Sequence, residues 1–155
     1  MRLKITIINF ISLLLLIGCS GADNGNTNQG SLISNYDPKH DINKGAVVIT
    51  NNGVMNIEQL HDFVEKSNKS VKSNLKIVKV TTEGDPIYHY LEFNGTEFIY
   101  KVDNTKDEYG DNNPKEIKCS KFTKINNKNK TTYVLQHCNN DKEKVVVLSM
   151  KESDQ

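Results

Sequence analysis

The chain is expected to fold as an α+β domain, with one N-terminal helix packed on an antiparallel sheet of about five to six strands in a meander-like order. Three observations lead there. Helical periodicity is clear in one segment, about Ile57 to Ser67. After it come short runs rich in β-branched and aromatic residues, split by turn residues. Asn94-Gly95 lies between two of these runs and is a strong hairpin signal, because both central positions of a type I′ turn need positive φ. A helix followed by a run of strands is the pattern of a sheet covered on one side.

The first element is a leader. Arg2 and Lys4 precede an almost wholly apolar run from Ile5 to Ile17, the layout of a secretory signal peptide over residues 1–18. The run is shorter than the roughly 20 residues a spanning helix needs. Leu16-Ile17-Gly18-Cys19 resembles the lipobox of bacterial lipoproteins, so Cys19 is expected to carry lipid, palmitate included, and to begin the mature chain. Acyl chains contribute about 0.8 kcal/mol per buried CH₂, which makes attachment effectively permanent. Residues 19–44, rich in Gly, Asn, Ser and Asp, read as a flexible spacer with a reach of about 27 Å. Residues 45–151 are the single domain, and 152–155 a disordered tail.

Without Arg2 and Lys4, 18 basic residues stand against 19 acidic ones, a net charge near −1. Nucleic-acid binding, which needs a basic face to displace counterions, is not expected.

Gly45 to Thr50 reads as a strand. Asn56 is placed to cap the helix, with Gln59 three residues on, and Ile57, Leu60, Phe63 and Val64 share its apolar face. The later strands are expected at Leu75–Thr82, Ile87–Phe93, Thr96–Val102, Glu116–Ile125, Thr131–Cys138 and Lys144–Met150. A two-residue turn at Asn94-Gly95 sets Phe93, Leu91, His89 and Ile87 opposite Thr96, Phe98, Tyr100 and Val102 on the helix-covered face. Tyr88, Tyr90, Glu92, Glu97, Ile99 and Lys101 take the other.

Cys119 and Cys138 carry a second register. A hairpin centred between Lys128 and Asn129 pairs Ile125 with Thr132, Thr123 with Val134, and Cys119 with Cys138. Directly cross-strand positions are close to disulfide range, and export supplies a non-reducing compartment. Two free buried thiols, or a metal or redox site using His137, are the alternatives.

Reactive groups are scattered. His89, mid-strand and opposite Tyr100 in this register, allows an imidazole–phenol hydrogen bond at a small pocket, or a satisfied core histidine. His61 reads as a boundary residue of the helix, His40 and Asp41 as solvated spacer, and His137 as exposed. Thr81 to Pro86 forms a tight turn whose Glu83 and Asp85 either shape the backbone or hold a ligand. The acidic loop Asp103 to Glu116 fails the calcium spacing of an EF-hand. No phosphate-cradling glycine loop, zinc signature or nucleophile elbow occurs.

The stretch TTEGDPIYH at 81–89, the KIVKV strand before it, the YLEFNG hairpin and the paired late cysteines resemble the domain of unknown function 4362 family, found in small lipoproteins of bacilli and their relatives. The resemblance covers roughly Val47 to Met150. It implies a Gram-positive cell surface and brings no activity.

These readings lead to an expected role. The chain is a lipid-anchored protein facing outward from a cell membrane, carrying a noncatalytic domain that binds an extracellular protein, peptide or envelope component. No catalytic residues, cofactor or metal is expected. The contact surface is a sheet edge or the face of Tyr88, Tyr90 and Ile99. The rival is a small-ligand or hydrolytic domain with a pocket around His89, Tyr100, Glu83 and Asp85. A spacer or inhibitor that blocks another protein is a third possibility.

Overall fold

The computed structural model describes residues 36–107, 110, 115–139 and 144–151. Cys19, the leader, most of the spacer, part of the acidic loop and the tail after Lys151 lie outside them. Among the described residues no helix is long and apolar enough to cross a membrane.

The elements in order are α1 (Pro38–Ile42), β1 (Val47–Thr50), β2 (Gly53–Met55), α2 (Glu58–Asn68), β3 (Ser73–Val80), β4 (Pro86–Phe93), β5 (Phe98–Asp103), β6 (Lys115–Asn127), β7 (Lys130–Cys138) and β8 (Lys144–Lys151). They build one eight-stranded sheet in the order β2-β1-β3-β4-β5-β6-β7-β8. β1 runs parallel to β3, and every other pairing is antiparallel. The expected layout of one helix on five to six antiparallel strands is therefore corrected. Among the described residues the domain is mainly β, with a mixed sheet and two short helices.

Two features account for the difference. The GAVVIT run is buried on both sides, with Val47 and Val48 fully enclosed, as suits an interior strand with a parallel neighbour. The three-residue β2 is too short to leave a periodic signature.

The sheet curls around α2. Leu60 and Phe63 are buried, and the Phe63 ring meets Phe98 of β5 at 6.3 Å and Phe122 of β6 at 6.0 Å. His61 reaches the Tyr133 hydroxyl of β7 at 3.1 Å. One core cluster thus runs from Val47 on β1 to Met150 on β8. The helix keeps an acid four residues before a lysine at Asp62/Lys66 and Glu65/Lys69. It ends in a Schellman motif on Ser70, whose φ is 57°, with Val71 N–H donating to the Lys66 carbonyl and Ser70 N–H to that of Ser67.

Asn56 does not cap α2. It sits at φ 63°, and its amide donates to the carbonyls of Ala46, at 2.9 Å, and Ile42, at 3.4 Å, tying β1 to α1. Ile57 occupies the N-cap position without a side-chain cap bond.

α1 begins the folded part earlier than the expected boundary at residue 45. Asp37 caps it by accepting from Lys39 N–H, and Pro38 suits the first turn. Asp41, read as solvated, is 3% exposed. Its carboxylate accepts from the Tyr36 hydroxyl at 2.9 Å and from Lys76 Nζ at 2.7 Å. Tyr36 and Ile42 cover Ala46, Val48 and Val78 on the side of the sheet away from α2.

The β4–β5 connection is also corrected. Asn94 closes a longer loop, its Oδ1 accepting from the Thr96 and Glu97 amides, so Phe93 pairs with Phe98, Leu91 with Tyr100 and His89 with Val102. The register moves by two residues, so each side chain keeps its expected face.

β6 and β7 pair as expected: Ile125 with Thr132, Thr123 with Val134, and Cys119 with Cys138. The cysteines form a disulfide with Cα atoms 4.0 Å apart. Inward-facing parity changes between Cys119 and Phe122 on β6, beside His137 at φ 54° on β7. The disulfide therefore clamps a corner at which the sheet turns around α2. With the cysteines nineteen positions apart, Cys119→Ser with Cys138→Ser is expected to lower unfolding free energy by about 3 kcal/mol. Chemical denaturation of oxidised, reduced and substituted protein measures this.

Candidate functional site

His89 and Tyr100 meet, but inside the domain. The shift in register makes them diagonal neighbours, and His89 Nδ1 lies 2.6 Å from the Tyr100 hydroxyl, the rings 5.8 Å apart. His89 is 8% exposed and Tyr100 3%. On its own face His89 is flanked in register by Ile77 and Val102. Burial pushes the imidazole down to about 3, helped by the Lys79 ammonium, and raises the Tyr100 phenol to about 12. The Lys79 ammonium is itself pushed down by burial. Both partners of the bond are therefore neutral near pH 7, and an imidazole that protonates only near pH 3 is a weak base for proton abstraction there.

Glu83 and Asp85 do not join this pair. The charge acting on His89 is that of Lys79. Thr81 N–H donates to the Asp85 carbonyl, Thr81 Oγ1 accepts from Asp85 N–H at 3.1 Å, and Gly84 takes φ 99°. These residues close the β3–β4 turn. Among the described residues no three His, Cys, Asp or Glu side chains gather where they would hold a metal ion.

The face of the sheet turned away from α2 carries a different constellation. On β4, alternation sends His89 and Leu91 inward and Tyr88 and Tyr90 outward. The two tyrosine rings stack with centroids 6.5 Å apart, and Tyr90 is 40% exposed. Lys76 is the hub, because its ammonium sits 4.3 Å from the Tyr88 ring centroid while bonding Asp41. Burial pushes the Asp41 carboxyl up, but the hydrogen bonds from Lys76 and Tyr36 and the Lys76 charge outweigh it and leave the group below its ordinary value.

Two concavities meet at Lys44 and Lys76. One, of about 460 Å³, runs past Tyr90, Glu92, Ile99 and Lys101. The other, of about 370 Å³, lies between α1 and Tyr88. Cations, carboxylates and an exposed aromatic ring line this groove, a surface suited to holding a polar ligand against a ring face.

Both sheet edges are poor docking sites by comparison. β2 has three residues. β8 has Lys at both ends and a bulge, since Leu148 pairs with Tyr133 and Val146 with Val134, leaving Val147 as an extra residue. Short edges, terminal lysines and bulges all discourage strand addition.

Tyr88, Tyr90 and Ile99 were expected on this face. Asp41 and Lys76 were not, because both act through contacts between α1, β3 and β4 that only the three-dimensional pairing supplies. The signal for Lys76 was its alternation with Leu75 and Ile77, which sends it outward.

Residues 44–134 match the family model described as a domain of unknown function, DUF4362. No curated protein and no solved structure matches the chain.

The His89 environment has a pH consequence. The unfolded chain takes up a proton on this imidazole near pH 6.5 and the folded chain only near 3. The folded state is thus favoured above pH 6.5 and loses stability as pH falls towards 3, at up to roughly 1.4 kcal/mol per unit. Unfolding free energy measured from pH 7 to 4 should fall more steeply in the natural protein than in His89→Gln.

Proposed function

The chain belongs to the domain of unknown function family DUF4362, and we propose on that premise that it is an exported lipoprotein, anchored through Cys19 on the outer side of a membrane. Its folded part is a noncatalytic binding domain. The basic residues, apolar run and lipobox of residues 1–19 support the address. The Cys119–Cys138 disulfide supports it independently, because such bonds persist outside reducing compartments.

The observation that carries the binding role is the Tyr88–Tyr90 stack beside Lys76, with Tyr90 open to solvent above a concavity. Burying a ring face and a neighbouring cation against a partner gains apolar contact and charge–quadrupole attraction together. The occupant is a segment of an extracellular protein, a peptide or an envelope component. The pocket reading around His89 and Tyr100 loses support from their burial, their neutrality and the position of Glu83 and Asp85.

Two measurements test the two halves. Fatty-acid labelling of cells expressing the chain should mark the natural protein and not Cys19→Ser; equal labelling refutes the anchor. Tyr88→Ala with Tyr90→Ala should leave the melting temperature within a few degrees and weaken partner capture at least tenfold. Unchanged capture would remove the outer face from consideration.

A further inference from the structure

The three C-terminal strands carry a second outward face that net charge does not reveal. The register of β6, β7 and β8 sends Phe122, Tyr133, Leu135 and Leu148 to the core, so the residues between them point away from α2. At one end of that face Lys121 and Lys144 flank Gln136, each pairing with it from a neighbouring strand. At the other end lies Lys130, exposed on β7. Between these ends lie Val146, 48% exposed, and Ile125, 37% exposed, with the Thr132 and Ser149 hydroxyls bonded to each other at 3.1 Å. Among the described residues of the three strands the only carboxylate is that of Glu116, which pairs with Lys101 outside this face.

We propose that this lysine-framed face of β6–β8 rests on an anionic phospholipid surface, orienting the domain on the bilayer. Cations at the two ends meet headgroup phosphates, while Val146 and Ile125 enter the interface between them and the hydroxyls bond to headgroups. A second copy of this chain is a poor occupant, because the same face would set lysine against lysine. A soluble polyanion would satisfy the lysines and leave the two exposed apolar side chains without a role. The proposal goes beyond the aromatic groove on β4. It takes its location from the lipid-anchor reading, but its test does not depend on that reading.

The chain from residue 19 onward, with Cys19→Ser so that no acyl chain contributes, is sedimented with vesicles of phosphatidylcholine alone or mixed equally with phosphatidylglycerol. Binding should require the anionic lipid, fall away in 0.5 M salt, and weaken about fivefold for each lysine removed. Lys121→Glu with Lys130→Glu and Lys144→Glu should therefore abolish it, whereas Tyr88→Ala with Tyr90→Ala should leave it intact. Equal binding to neutral vesicles, or none to either, overturns the proposal. So does full binding by the lysine variant, loss in the tyrosine variant, or capture of polyphosphate without capture of vesicles. The salt dependence of the unsubstituted chain keeps the proposal testable if the lysine variant fails to fold.

Discussion

The fold depends on enclosing one helix within one sheet. α2 offers a narrow stripe, centred on Leu60 and Phe63, and among the described residues no second helix packs beside it on that side. Only a curled sheet brings strands as far apart in the order as β1 and β8 onto the same stripe. The change of parity in β6, the left-handed His137 and the Cys119–Cys138 bond all lie at one corner where this bending is concentrated. Without the corner, Phe122 and Tyr133 would point the wrong way and Phe63 would keep Phe98 but lose Phe122.

The enclosed side is occupied by packing, so the exposed polar and aromatic chemistry lies on the outer side. There the molecule divides its chemistry. α1 and its neighbours bring a carboxylate, a lysine and two tyrosines together on β3 and β4, whereas β6–β8 present lysines around exposed aliphatic side chains. His89 belongs to the interior in this division. Its bond to Tyr100 satisfies two polar groups in an apolar place, which is the ordinary requirement on buried polar atoms.

Legibility in the sequence followed the range of the interactions concerned. The β6–β7 register was readable because a short polar turn and two cysteines nineteen apart point to the same pairing. The inward and outward faces of β4 and β5 were readable because alternation survives a shift of two residues. The shift itself was not, since it comes from Asn94 accepting amide hydrogens across the loop in place of a tight turn. α1 was hidden by its polar composition, because its hold on the domain comes from contacts beyond its own sequence, among them the Asp41–Lys76 ion pair, 35 residues apart, and the Asn56 bond to the Ile42 carbonyl. Asn56 looked like a cap and instead bonds two carbonyls of earlier elements, a long-range choice that no local pattern records. The likeness of TTEGDPIYH to its family was readable, and the family's description adds no chemistry to it.

The docking of Asp41 under Lys76 has a mechanical meaning. Tension applied at the N-terminal end of the folded body does not peel β1 away from an edge. It arrives first at a charged pair rooted in β3, a strand with neighbours on both sides. The load is then shared with the middle of the sheet, so a tug on the lead-in is met by more than one strand.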